Sequence, residues 1–348
     1  MKKKLAIVIG ARPQFIKHAP VENALKKYFD IFAIHTGQHY DQKMSDIFFD
    51  QLGMNEPTYM LSVGSASHGK QTGIMIQKIE EVLLKEKPDG LIVYGDTNST
   101  LAGAIAASKL GVSIIHIESG LRSFNKSMPE EINRVITDHI SDFLFVPTPL
   151  ALTNLKNEGL SDDKIFLVGD VMVDSLLLAK KHIGNNFQEK GYILLTLHRP
   201  YNTDQTSRLL RILNVLNSVG KNVIFPIHPR TLNALKNSVN EINNFKNIKF
   251  VDSVSYFDFI KLQLESSCII TDSGGVQKEA YILKKKCITL RSETEWIETL
   301  KNNWNTLVFD DLDRLKDVIN IKPGKYIKNI YGEGKSSEII AKIIHNKL

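Results

Sequence analysis

The chain has 348 residues, 43% of them apolar and 24% charged, with a net charge of +6. That is the composition of a soluble globular protein long enough for two domains of ordinary size. The lysines are scattered rather than gathered on one stripe, which argues against nucleic acid and for mild attraction of anionic small molecules. No apolar stretch approaches membrane-spanning length, so no membrane association is expected. Lys2-Lys3-Lys4 followed by Leu5 to Ala11 is too short for a signal peptide and reads as a first core strand. The two cysteines, Cys268 and Cys287, each begin an apolar run. They cannot make a disulfide framework, and buried free thiols suit a reducing cytoplasm.

In chain order, short β-branched runs alternate with helical patterns, which predicts an α/β protein with parallel sheets. The first series of strands is Leu5–Ile9, Ile31–Thr36, Gly90–Val93, Ser113–Ile117, Phe143–Pro147 and Ile165–Val168. Helical patterns fall at Phe15–Tyr28, Lys43–Leu52, Gly69–Glu86, Thr100–Leu110, Pro129–Ser141 and Leu150–Glu158. A second series begins at Tyr192–Leu197 and continues through Asn222–Ile227, Ile248–Phe250, Cys268–Ile270 and Cys287–Leu290. The break lies between Gly169 and Gly191. Ser336 to Leu348 is amphipathic and is expected to return to the first domain. The expected division is 1–170 plus 336–348, then 171–335: two Rossmann-like doubly wound domains facing across a cleft.

Ligands of open α/β sheets bind beyond the carboxyl ends of the strands, so the residues that follow each strand matter most. In the first series these are Gly10-Ala11-Arg12-Pro13, Gly37-Gln38-His39, Gly95-Asp96-Thr97-Asn98 and Glu118-Ser119-Gly120-Leu121-Arg122. In the second they are His198-Arg199, His228-Pro229-Arg230, Asp272-Ser273-Gly274-Gly275 and Arg291-Ser292-Glu293. The Ser273-Gly274-Gly275 turn opens a helix, where backbone N–H groups and a positive helix end could hold a phosphate. Glu279, one turn further on, could accept hydrogen bonds from ribose hydroxyls. Arg12 and Lys17 could clamp a departing diphosphate. Each residue also has a plain structural reading. Asp96 could cap the helix expected from Thr100, and Asp272 could cap the helix after it. Glu130-Glu131 could serve the helix dipole, with Arg134 as a surface ion-pair partner. His139 and His182 lie in helical runs and read as structural.

The chain has no Gly-x-Gly-x-x-Gly after its first strand, no zinc-spaced cluster, no Walker loop and no nucleophile elbow. What remains is a phosphate-binding turn in the second domain and carboxylates in the first. That suits a nucleotide-linked substrate held by its anionic end, with paired carboxylates as acid and base.

Several motifs, in order, resemble the non-hydrolysing UDP-N-acetylglucosamine 2-epimerases. They are Gly10-Ala11-Arg12-Pro13-Gln14-Phe15-Ile16-Lys17, Gly95-Asp96-Thr97-Asn98-Ser99-Thr100, His116-Ile117-Glu118-Ser119-Gly120-Leu121-Arg122, Pro129-Glu130-Glu131-Ile132-Asn133-Arg134, Leu197-His198-Arg199, Ile227-His228-Pro229 and Thr271-Asp272-Ser273-Gly274-Gly275-Val276-Gln277-Lys278-Glu279. The resemblance implies a glycosyltransferase-B-type fold and inversion at carbon 2 of a UDP-sugar by elimination and re-addition of UDP. It implies no cofactor, neither NAD nor metal, and a homodimer. Carried over position by position, Asp96, Glu118 and Glu131 match the acid/base carboxylates and His198 the catalytic histidine. Arg12, Lys17, His228, Ser273, Gly274, Gly275 and Glu279 match UDP-binding positions. The sequence departs from the family at Thr294-Glu295-Trp296-Ile297-Glu298, where Trp296 replaces an Arg and removes a cation near the expected sugar-phosphate region. This version looks like the subgroup that epimerises UDP-2,3-diacetamido-2,3-dideoxyglucuronate, the alternative substrate. A glycosyltransferase of the same fold is a further alternative. Gln38-His39-Tyr40-Asp41 and Lys70 stand where some bacterial members hold a second, activating UDP-GlcNAc, and a weak or absent response is expected here.

Overall fold

The computed structural model describes residues 2–38, 53–184, 187–227, 231–232, 235 and 245–348. The helix expected at Lys43–Leu52 lies outside the described residues. The chain divides into two units, Met1–Leu178 with Asn329–Leu348, and Ala179–Lys328.

In the first unit the apolar runs form strands β1 (Lys4–Ile9), β2 (Asp30–His35), β3 (Tyr59–Met60), β4 (Gly90–Tyr94), β5 (Ser113–Ile117), β6 (Phe143–Val146) and β7 (Ile165–Leu167). They pair in parallel in the order β3-β2-β1-β4-β5-β6-β7. The near-continuous apolar character of β1, β4 and β5 follows from cover on both faces. The helices are α1 (Arg12–Leu25), α2 (His68–Glu86), α3 (Asn98–Leu110), α4 (Pro129–Ile140), α5 (Pro149–Asn157) and α6 (Val171–Ile183). The division between the units falls inside α6. The C-terminal helix Ser336–Lys347 packs on α1 and buries Ile340, Ala341 and Ile344. Asp174 of α6 accepts its first backbone N–H groups, from Ser336 at 3.3 Å and Ser337 at 2.9 Å.

α4 inverts the usual amphipathic arrangement. Its polar residues Glu131, Asn133, Arg134, Thr137 and Asp138 are buried, whereas Ile132 and Ile136 are exposed. A periodic apolar stripe predicts the opposite orientation. Here the polar face is drawn inward by the carboxylate-bearing loops.

In the second unit β8 (Ile193–Thr196), β9 (Val223–Pro226), β10 (Ile248–Val251), β11 (Cys268–Thr271), β12 (Lys286–Thr289) and β13 (Asn305–Leu307) pair in parallel in the order β10-β9-β8-β11-β12-β13. The helices that bear on the site are α7 (Thr206–Ser218), α8 (Tyr256–Glu265) and α9 (Gly274–Ile282). Leu209, Ile212, Leu213 and Leu216 of α7 join Ile193, Leu195, Phe225 and Ile270 in one apolar core. Both sheets reverse strand order beside their first strand, at β1/β4 and at β8/β11. Those are the points where doubly wound sheets open to ligands.

Candidate active site

At the first switch point the loops after β1 and β4 are tied together by Gln14. Its carbonyl oxygen accepts the N–H groups of Gly10 (2.8 Å) and Ala11 (3.1 Å). Its amide donates to the Tyr94 carbonyl at 3.1 Å and to Thr97 Oγ1 at 3.0 Å. Arg12, half-buried, opens α1, and Lys17 sits buried one turn on. Lys17 Nζ lies 2.5 Å from Glu118 Oε1, with both side chains only 8% exposed. Lys17 is thus the partner of a carboxylate here. Glu118 stands at φ +70°, in the left-handed region that costs a non-glycine residue about 1–2 kcal/mol. Such strain concentrates at functional sites. Gly95, at φ +61°, passes so close that a Cβ there would lie 3.3 Å from Glu118 Oε1.

Asp96 is not a helix cap. Thr97 caps α3, accepting the N–H of Thr100 at 3.2 Å. Asp96 instead meets Arg134, whose NH2 lies 2.5 Å from Oδ2 and whose NH1 lies 2.7 Å from Glu131 Oε2. Nor is Arg134 on the surface, as the sequence suggested: it is buried, and it joins two of the three candidate carboxylates. Glu131 also accepts Ser123 N (2.9 Å), Ser123 Oγ (3.0 Å) and Phe124 N (2.9 Å). Burial raises the Glu131 carboxyl, but these N–H groups and Arg134 outweigh it and hold the pKa below the usual glutamate value. Asn133 adds bonds to the Asp96 carbonyl at 2.9 Å and to Asn98 Oδ1 at 3.2 Å. The first unit therefore holds two ion-paired groups, Lys17 with Glu118, and Arg134 with Asp96 and Glu131. Gln38 and Gln71 are occupied locally: Gln38 accepts from Ser99 Oγ at 2.7 Å, and Gln71 donates to the Gly64 carbonyl at 2.7 Å.

At the second switch point His198 follows β8 and Asp272 follows β11. Their strands are neighbours in register, Thr196 opposite Thr271. Asp272 does not cap α9. Ser273 is the N-cap, without a side-chain bond of its own. The Asp272 carboxylate is fully buried and turns to the β8 loop, accepting the N–H groups of His198 (3.0 Å) and Arg199 (3.1 Å) and the Asn202 amide (3.0 Å). Burial raises its pKa, but His198 and Asn202 bring it below the usual aspartate value. A cap is the only role chain order suggests for this residue, because strand adjacency is not visible there.

Gly274 and Gly275 open α9. A Cβ on Gly274 would lie 2.3 Å from Glu295 Oε1, so a side chain there would displace the Glu295 carboxylate. Glu295 is held by Arg291 at 3.0 Å. Glu279 is buried and accepts the Gln263 amide at 2.6 Å. Trp296 carries the Lys278 ammonium 3.8 Å from its ring centroid, so a cation stands over this ring. His228 lies outside the described residues. His139 is an exposed partner of Glu158 at 3.1 Å, and His182 stacks on Phe257 with centroids 4.3 Å apart.

Two doubly wound parallel units, one bearing ion-paired carboxylates and the other a glycine turn at a helix N-terminus, define a two-unit α/β protein with a candidate anion site. A galactosyltransferase of the lipopolysaccharide outer core shares the fold, with TM-score 0.57 over 99% of this chain, at 14% identity. The sequence model of the UDP-N-acetylglucosamine 2-epimerase family matches residues 23–345, and the chain belongs to that family. A UDP-N-acetylglucosamine 2-epimerase homologue of Methanococcus maripaludis is 50% identical over 99% of both chains. The UDP-2,3-diacetamido-2,3-dideoxy-D-glucuronate 2-epimerase of Pseudomonas aeruginosa is 46% identical over 98% of this chain and 99% of its own. The crystal structure of the Methanocaldococcus jannaschii UDP-GlcNAc 2-epimerase, in complex with UDP-GlcNAc and UDP, superposes with TM-score 0.90 at 45% identity, covering 99% of each chain.

Proposed function

We propose that this protein interconverts UDP-GlcNAc and UDP-ManNAc at carbon 2. The observation that carries the reading is the placing of three ion-paired carboxylates at strand ends and on α4, Glu118 on Lys17, and Asp96 and Glu131 on Arg134. An ionised carboxylate removes the proton from carbon 2 while the carbon 1–oxygen bond breaks and its electron pair leaves with UDP. The product pair is 2-acetamidoglucal and UDP. Return of the UDP oxygen to carbon 1, with a proton delivered to the other face of carbon 2, gives the epimer. Asp96 and Glu118 are suited to carry the proton. Glu131, gripped by two backbone N–H groups and Arg134, is suited to remain an anion that orients Asp96 through the shared guanidinium. His198, oriented by Asp272, is the further catalytic group of this reading.

In this reading Ser273, Gly274 and Gly275 hold the diphosphate on the N-terminus of α9 and Glu279 meets the ribose. Arg12, Lys17 and His228 complete UDP binding and neutralise the charge that develops as the diphosphate departs. No organic cofactor or metal enters these steps.

The diacetamido-glucuronate substrate is a second reading, supported by Trp296 and by the Lys278 cation above it. The test is a product assay on both sugar nucleotides, with and without acceptor alcohols. Epimer without free UDP supports the proposal. Transfer to an acceptor supports a glycosyltransferase, and accumulating free UDP a hydrolysing enzyme.

A homodimer in the cytoplasm fits the remaining features. Ile132 and Ile136, 47% and 38% exposed on α4, offer an apolar strip to a second copy. Cys268 and Cys287 are buried free thiols. No helix among the described residues is long and apolar enough to cross a membrane.

A further inference from the structure

His116, on β5, is fully buried, and its ring is held from both sides. Nδ1 lies 2.7 Å from Asp138 Oδ1, and Nε2 lies 2.8 Å from the carbonyl oxygen of Gly95. A peptide carbonyl can only accept. Asp138 is equally buried, and its other oxygen takes the N–H of Gly120 at 3.1 Å and Arg122 NH1 at 2.7 Å. A carboxylate ringed by donors is an ionised acceptor. Burial raises the Asp138 carboxyl, yet His116 and Arg122 outweigh it and bring its pKa below the usual aspartate value. Both ring nitrogens of His116 therefore face oxygen atoms that accept hydrogen bonds. The neighbouring charges are Arg122 and, behind it, Glu158, which pairs with Arg122 at 2.6 Å and with His139 at 3.1 Å.

The partners of this pair lie next to the reacting groups. Gly95 precedes Asp96, and its own N–H donates to the Ile117 carbonyl at 3.0 Å, so β5 grips Gly95 at both ends. Gly120 stands two residues past Glu118, which itself holds the strained φ of +70°. Gly120 has φ +77°, and a Cβ there would lie 2.4 Å from the Ala151 carbonyl oxygen, so the turn is closed on that side as well.

We propose that His116 and Asp138 form a buried charged pair that positions both reacting carboxylates, Asp96 through the Gly95 carbonyl and Glu118 through the Gly120 N–H. The proposal rests on the reading of Asp96 and Glu118 as the proton-carrying groups. His116 and Asp138 are positioning residues and do not touch substrate.

The test uses the full chain with His116→Gln and Asp138→Asn, and Asp96→Asn as the benchmark. UDP-GlcNAc turnover and UDP binding are measured for each. Ring-nitrogen NMR on the unsubstituted protein, assigned from the His116 backbone, reports the protonation of the imidazole. The expected result is a ring protonated on both nitrogens at about pH 7.5. With it goes a kcat loss of about 10–100-fold in either variant, as for other supports behind a reacting group, with KM and UDP affinity changed by less than about threefold. A singly protonated ring overturns the proposal, as does a kcat within about threefold of the unsubstituted protein in folded variants. If the variants do not fold, the ring spectrum alone decides. Full activity in Asp96→Asn would instead remove the carboxylate assignment, while the ring spectrum still tests the pair.

Discussion

His198 Nδ1 lies 2.8 Å from Asp272 Oδ1, and the same carboxylate accepts the backbone N–H groups of His198 and Arg199. One buried residue just past β11 thus fixes both the ring and the loop that follow its neighbour strand β8. The Nδ1 hydrogen faces the carboxylate, which leaves Nε2 for the ligand. Asp272→Asn should lower kcat/KM by about 10–100-fold and stability by roughly 1–3 kcal/mol, since an amide cannot accept from all of these donors. Steady-state kinetics and urea unfolding check both. Unchanged kinetics with lowered stability would confine Asp272 to a structural role.

The Lys17–Glu118 pair should show the asymmetry of a buried ion pair. Lys17→Met leaves an uncompensated carboxylate and should cost about 3–5 kcal/mol, whereas adding Glu118→Gln should recover much of that loss. Denaturant unfolding of the two single variants and the double variant gives the coupling. The double variant should be stable and still inactive.

Acid should loosen the first unit through Glu131 and Asp138. Both have folded pKa values below their usual ones, despite burial that opposes the shift. Their contribution is therefore present above the ordinary carboxylate range and is lost as pH falls through the folded values. Melting temperature should hold down to about pH 5 and drop below about pH 4. The deficit of Asp138→Asn at neutral pH should narrow over the same interval, and a constant gap would contradict this assignment.

Gly274→Ala places a methyl where Glu295 Oε1 now stands, 2.3 Å from the ideal Cβ. The Glu295 carboxylate, held by Arg291, must then swing aside at the mouth of the turn. UDP affinity should fall by about tenfold or more, a loss near 1.4 kcal/mol. Calorimetric titration with UDP measures it, and unaltered affinity would detach this turn from the diphosphate.

Much of this architecture could be read from the chain, and the exceptions have physical causes. β1, β4, β5, β8 and β11 announce themselves as apolar runs because both faces are covered. The rule that function follows strand ends then selects Asp96, Glu118 and His198 directly. β3 is only Tyr59–Met60, and β13 reads Asn305-Thr306-Leu307, too short or too polar to register as strands. The links between loops were also hidden. Asp272 looked like a cap because nothing in chain order says that β8 lies beside β11. Arg134 reads as a surface ion-pair partner because it lies one turn past Glu130-Glu131 at a helix start, and chain order does not show the Asp96 loop beside it. In fact Glu131, Arg134 and Asp138, spaced three and four apart, all lie on the buried face, Arg134 meeting Asp96 and Asp138 meeting His116. A polar stripe at helical spacing was the available signal. The left-handed backbone at Glu118 had none.

In the proposed reaction, proton removal at carbon 2 accompanies loss of UDP. Proton NMR of UDP-GlcNAc incubated with the enzyme in deuterium oxide reads this step, with the diacetamido-glucuronate analogue in parallel. Deuterium is expected at carbon 2 together with a growing manno epimer, and neither change in Asp96→Asn or Glu118→Gln. Exchange in the analogue alone would keep the mechanism and shift the substrate. Binding of both sugar nucleotides without exchange in either would contradict the elimination mechanism.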